Sequence, residues 1–150
     1  MDEKMGEFAG TYATDLSVSD SVEPMLKAEG AGMMKRKIAA SVAPTVTISF
    51  DGNVMKEVID MGVKTLEHEF VCDGEEHEMN DEKTEGIYIA TMTEDAIVVQ
   101  IRGVNKGNNK DVDNRVSRYF EDAEKNTMIL DMNINIGGTV LEIKRVLRRQ

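Results

Sequence analysis

After Pro44 almost everything in this chain reads as short strands, and that pattern limits the fold more than any other feature. Val46-Thr47-Ile48-Ser49-Phe50 alternates and runs into a turn at Asp51-Gly52-Asn53. Residues 54–60 follow, then 64–71, closed by Cys72-Asp73-Gly74. Ile87–Met92 and Ala96–Ile101 flank Thr93-Glu94-Asp95. Segments 115–121, 127–135 and 139–147 come last, with Gly137-Gly138 between the final two. The polar stretch from Gly103 to Asn114 reads as an extended hairpin loop. Many short strands with a turn roughly every ten residues predict an antiparallel barrel or sandwich.

Residues 20–42 differ and read as two short helices. Asp20 with Glu23 three residues on resembles a capping box, and Pro24 falls in a first turn, where its missing N–H costs little. Val22, Met25 and Leu26 supply an apolar face. Gly30 and Gly32 break the chain. Met34, Ile38 and Val42 then recur at four-residue spacing, and Lys35, Arg36 and Lys37 form a basic patch before Pro44 ends the helix. Two early helices on such a sheet favour a barrel with a lid over its mouth, and barrels of this kind enclose ligand cavities.

Two arginines break the strand pattern. Residues two apart in a strand share a face. Arg118 therefore shares a face with Val116 and Phe120, and Arg145 with Leu141, Ile143 and Leu147. If those faces look inward, two cations enter an apolar interior, where an unpaired charge costs several kcal/mol. An anion should meet them. Arg suits a planar carboxylate better than Lys does. The alternatives are an internal salt bridge to Glu67 or Glu69, or an outward-facing position.

At 150 residues the chain is expected to form one domain, 1–150. Its net charge of −10 would repel nucleic acid. The single cysteine, Cys72, excludes an intrachain disulfide and fits a reducing compartment. The first residues carry no apolar run of a signal peptide, and no stretch approaches the ~20 apolar residues of a membrane span. A cytoplasmic location is expected. His68 and His77 lack metal-ligand spacing, and Glu75-Glu76-His77-Glu78 reads as a solvated turn. There is no phosphate loop and no nucleophile elbow. Neither a cofactor, a metal nor an enzyme activity is expected.

Several segments resemble one family. Phe8-x-Gly10-Thr11-Tyr12 is similar to the opening strand of the intracellular lipid-binding proteins, the fatty-acid-binding protein family, with Tyr12 where that family usually has Trp. Gly30 through Lys35-Arg36-Lys37-Ile38-Ala39 to Ala43-Pro44-Thr45 resembles its second helix and the start of the next strand. Val63-Lys64-x-x-Glu67-x-x-Phe70 resembles a later strand. The resemblance implies a mainly β fold, a ten-stranded antiparallel up-and-down barrel (a clam) capped by a helix-turn-helix lid. It implies a carrier of long-chain fatty acids or similar hydrophobic carboxylic acids. Acid binders of the family hold the carboxylate with two inward arginines and a tyrosine. Arg118 and Arg145 resemble the arginines, while Leu147 stands at the tyrosine position and Tyr119 is out of phase.

The resemblance also places Met25, Leu26, Met34, Val63 and Gln100 at cavity or portal positions. Each is otherwise an ordinary core or rim residue. Lys27, Lys35, Arg36 and Lys37 on the lid would attract anionic membranes, or simply form a solvated face. Two rival readings remain. One is an enzyme of small hydrophobic acids, with the arginines as oxyanion donors. The other is a structural or interaction protein whose arginines are internally paired, each faced by an inward carboxylate.

Overall fold

The computed structural model describes residues 3–150. A short helix, α1 (Glu3–Gly6), precedes β1 (Gly10–Thr14). Two helices follow, α2 (Glu23–Ala28) and α3 (Met33–Ser41). The remaining strands are β2 (Thr45–Asp51), β3 (Val54–Asp60), β4 (Thr65–Val71), β5 (Glu76–Asn80), β6 (Thr84–Met92), β7 (Ala96–Asn105), β8 (Asp111–Phe120), β9 (Thr127–Ile136) and β10 (Thr139–Arg149). They form one antiparallel ten-stranded sheet in the order β4-β3-β2-β1-β10-β9-β8-β7-β6-β5. The sheet rolls into a nearly closed barrel whose free edges are β4 and β5. Each strand pairs with the next in sequence except at the β4–β5 seam; the helices join β1 to β2, and β1 also pairs with β10.

Alternation builds the core. Val46 and Ile48, then Ile97 and Val99, then Ile143, Arg145 and Leu147 are buried at two-residue spacing. At one end α1 plugs the barrel: Met5 and Phe8 are buried, Phe8 stacks on Phe120 at 4.7 Å, and the Tyr12 hydroxyl donates to the Phe8 carbonyl. Arg149 lies over the Tyr12 ring, 4.9 Å from its centroid, and donates to the carbonyls of Ala9 and Glu7. Gly10 has φ +148°, a backbone conformation that side chains with a Cβ rarely adopt, so this strand start favours glycine. At the other end Met25 and Ala28 of α2 pack against Val112, Ile134 and Ile136.

Four local expectations are corrected. The first helix begins at Glu23 rather than Asp20, because the Asp20 N–H donates to the Lys144 carbonyl and its carboxylate accepts the Lys144 N–H. Those bonds hold Asp20 beside β10 as extended chain, and Ser21 Oγ accepts the Glu23 N–H instead. The second helix has no buried residue; Met34 and Ile38 of its apolar face are exposed. The stretch 103–114 is mostly strand, since β7 runs to Asn105 and β8 starts at Asp111. Glu76-His77-Glu78 belongs to β5 rather than to a turn, because Tyr88 and Ile87 on β6 supply its pairing.

A buried charge layer in the barrel

Arg118 donates from Nε and Nη2 to one carboxylate oxygen of Glu57, at 3.1 and 2.9 Å. Arg118 is on β8 and Glu57 on β3, with β2, β1, β10 and β9 between them in the sheet. Strands so far apart in the sheet touch only across the barrel interior, so both side chains point inward. Cross-strand partners share a face. Arg118 and Arg145 each pair with Leu130, from opposite sides, so the two arginines flank Leu130 on the inner wall. On the far wall Glu57 pairs with His68 of β4. His68 Nδ1 lies 3.7 Å from the second Glu57 oxygen, and its Nε2 lies 4.0 Å from Asp81.

The layer is dry on its arginine side: Glu57, Arg118 and Arg145 are 4%, 5% and 6% exposed. Burial pushes the Glu57 carboxyl up, but the Arg118 charge and then His68 outweigh it and hold the group at about 2. Glu57 is therefore ionised, and its charge cancels that of Arg118. Of the Arg118 nitrogens, Nη1 alone is buried without a hydrogen-bond partner. Arg145 is different. Its Nη1 donates to the Asp20 backbone carbonyl at 2.6 Å, and among the described residues no carboxylate is in ion-pair contact with it. Burial lowers its pKa, opposed by the charge of Asp20.

Glu57, and not Glu67 or Glu69, is the internal partner of Arg118. Both of those are exposed on the outer face of β4, where they alternate with Leu66, His68 and Phe70. Parity could have found Glu57, since Met55, Glu57 and Ile59 share one face of β3. Leu147 is buried beside the layer, while Tyr119 faces out and donates to Asp131 at 2.8 Å.

The portal residues divide. Met25 and Leu26 belong to the lid helix α2; Met25 packs on the barrel beneath it and Leu26 is buried. Met34 on α3 and Val63 in the β3–β4 turn are 78% and 88% exposed. Gln100 does not face the interior. It pairs with Ile89 and Arg115, one step out of phase with the inward Val99 and Ile101, so it lies on the outer face. Lys27, Lys35 and Lys37 are exposed, but Arg36 folds back on the lid: its Nη1 donates to the Ala31 carbonyl at 2.9 Å and its Nε lies 4.0 Å from Glu23.

A cleft of about 140 Å³ opens at the β4–β5 seam, between His68 and the Asp81–Lys83 turn. A larger hollow, about 400 Å³, lies among Asp20, Asp131, Glu142 and Lys144 by β9 and β10, away from Glu57 and Arg118. His77 on β5 bonds Asp73 at 2.9 Å and stacks on Tyr88.

No family model and no curated protein matches the sequence. Solved structures do match the fold. The REP1-NXSQ fatty acid transporter superposes with a TM-score of 0.74 at 22% identity, covering 96% of each chain. Caenorhabditis elegans lipid binding protein 8 gives 0.76 at 17% identity, covering 97% of each chain. A Schistosoma mansoni fatty acid binding protein in complex with arachidonic acid gives 0.70 at 19% identity, covering 98% of each chain. With its ten-stranded clam and helical lid, the chain has the fold of the intracellular lipid-binding protein family, to which the fatty-acid-binding proteins belong.

Proposed function

We propose that this protein is a cytoplasmic carrier of a hydrophobic carboxylic acid, with a long-chain fatty acid as the ligand class. The supporting observation is Arg145, a buried inward cation whose partner is a neutral carbonyl oxygen rather than an anion. A ligand carboxylate completes that site. Proteins of the same fold carry fatty acids by name. The alkyl tail contributes most of the affinity, at ~25 cal/mol per Å² buried. Arg145 selects an acid and fixes its orientation. Arg118 adds at most its Nη1 amino group, which Glu57 leaves without a partner. Met25, Leu26, Met34 and Val63 outline the path by which the tail passes the lid, and Lys27, Lys35 and Lys37 face the membrane that donates or receives it.

A second reading, a structural protein with internally paired arginines, is favoured by one observation, the Glu57–Arg118 ion pair. It is opposed by Arg145, which has no such partner. The enzyme reading has no support in the layer, which holds no nucleophile beside a base. Native mass spectrometry of freshly purified protein, then delipidation and displacement of a fluorescent fatty acid, separates carrier from structural protein. A carrier shows lipid mass and saturable displacement. Arg145→Gln then weakens palmitate far more than hexadecanol, and equal loss for both sinks the assignment of Arg145.

A further inference from the structure

The Glu57–Arg118 pair bears on which head group the barrel accepts. By its resemblance Arg118 would be one of two arginines on a ligand carboxylate. Here a carboxylate from the chain itself already takes two of its N–H groups across the barrel. Glu57 is as buried as its partner, and the second oxygen of Glu57 faces His68. Nothing in this arrangement is loose enough to be displaced cheaply, because an ionised carboxylate in so dry a place cannot be left unpaired. A ligand anion that approached the remaining Nη1 would share one guanidinium with Glu57, placing two like charges within roughly 6 Å. Arg145 carries no such conflict, and the Leu130 side chain stands between the two arginines on the wall.

Resting on the carrier reading above, we infer that Glu57 is a specificity-determining residue: it occupies Arg118 as a built-in carboxylate, so the ligand's acid group is held by Arg145 alone and the barrel accepts a single anionic charge. This accounts for Leu147. The resemblance implies a tyrosine two residues after Arg145, as a further donor to a shared head group. With one arginine withdrawn from that set, an apolar residue at position 147 packs into the core instead.

The test uses palmitate and hexadecanol as probes. In wild-type protein, the arginine Nε–H resonances are followed by NMR as palmitate is added. The Arg145 signal should move and the Arg118 signal should not, because its Nε–H stays on Glu57. Movement of the Arg118 signal as large as that of Arg145 overturns the inference and leaves the carrier reading intact. Absence of binding by either probe overturns both. Glu57→Gln supplies a second arm. Removing the competing charge should tighten palmitate by roughly tenfold or more and leave hexadecanol within about threefold. Unchanged palmitate affinity in a folded variant overturns the inference; if the variant fails to fold, the wild-type spectra decide it.

Discussion

The hydroxyl of Tyr88 accepts the backbone N–H of Val71 at 3.0 Å, tying β6 to β4 where the two edges of the sheet meet without a ladder. Phe70 packs edge-on against the same ring at 5.1 Å and His77 stacks on it at 5.2 Å. One aromatic side chain thus holds part of the seam by a polar tip and an apolar body.

Tyr88→Phe keeps the ring contacts and removes the acceptor. A lost hydrogen bond of this kind costs about 1 kcal/mol, so local opening of the seam should become about five times more frequent. Hydrogen exchange should show the Val71 amide faster by that factor, with amides of the β9–β10 ladder unchanged. An unaltered Val71 rate would mean that the ring contacts alone close the seam.

The Glu57–Arg118 pair makes stability depend on acid. The folded pKa of Glu57, about 2, lies below its ordinary value of 4.5. Its contribution is therefore fully present above 4.5 and is lost as pH falls through 4.5 towards 2. The shift corresponds to something on the order of 3 kcal/mol. Asp15, Asp73, Glu82 and Asp122 are lowered as well, by hydrogen bonds or ion pairs at the surface, and they steepen the same acid limb. A Glu57→Met/Arg118→Met double variant isolates the buried term. Arg118→Met alone should cost ~3–5 kcal/mol at pH 7, whereas the double variant should be close to wild type there. Urea titrations from pH 6 to 2.5 should show wild type losing about 2.5 kcal/mol more than the double variant. Parallel profiles would contradict the assigned pKa.

Much of this layer could be read from parity, and its pairing could not. Arg118 and Arg145 declare themselves because each neighbour at two residues' distance is apolar. The phase of Gln100 is not legible in the sequence because Ala96, Ile97, Val98 and Val99 are apolar in both phases, so only the ladder with Ile89 and Arg115 fixes which phase is inward. The meeting of Glu57 with Arg118 joins residues 61 apart across the barrel, a relation set by closure and not by any local pattern. β5 was invisible for another reason. Its burial alternates, but Glu76, Glu78 and Asn80 leave only His77 and Met79 on the inner face, too weak a signal against a turn.

The lid presents apolar and basic groups together. Met33, Met34 and Ile38 are all more than half exposed, beside exposed Lys35 and Lys37. A basic residue at an anionic surface is worth ~1 kcal/mol, so reversing two charges should slow collision-driven transfer by roughly tenfold or more. The Lys35→Glu/Lys37→Glu variant should therefore deliver a fluorescent fatty acid more slowly to phosphatidylserine vesicles than wild type does. Transfer to neutral phosphatidylcholine vesicles should be unchanged, and high salt should erase the difference. An equal effect on both vesicle types would place the defect in ligand release.

On its other side the lid is held down. Asn108, in the turn between β7 and β8, donates from Nδ2 to the Ala28 carbonyl at 2.9 Å, and Lys83 in the β5–β6 turn meets Glu29 at 3.3 Å. Both contacts grip the C-terminal end of α2, whose Met25 and Ala28 close the barrel over Val112 and Ile136. Neither residue belongs to the buried charge layer. Asn108→Ala should therefore release the lid without altering what the ligand touches. Removing one hydrogen bond of ~1 kcal/mol should speed fatty-acid dissociation about fivefold and speed association by a similar factor, leaving Kd nearly constant. Stopped-flow measurement of both rates checks it. A slower association or a Kd that rises with the dissociation rate would mean that Asn108 supports the bound ligand rather than the gate.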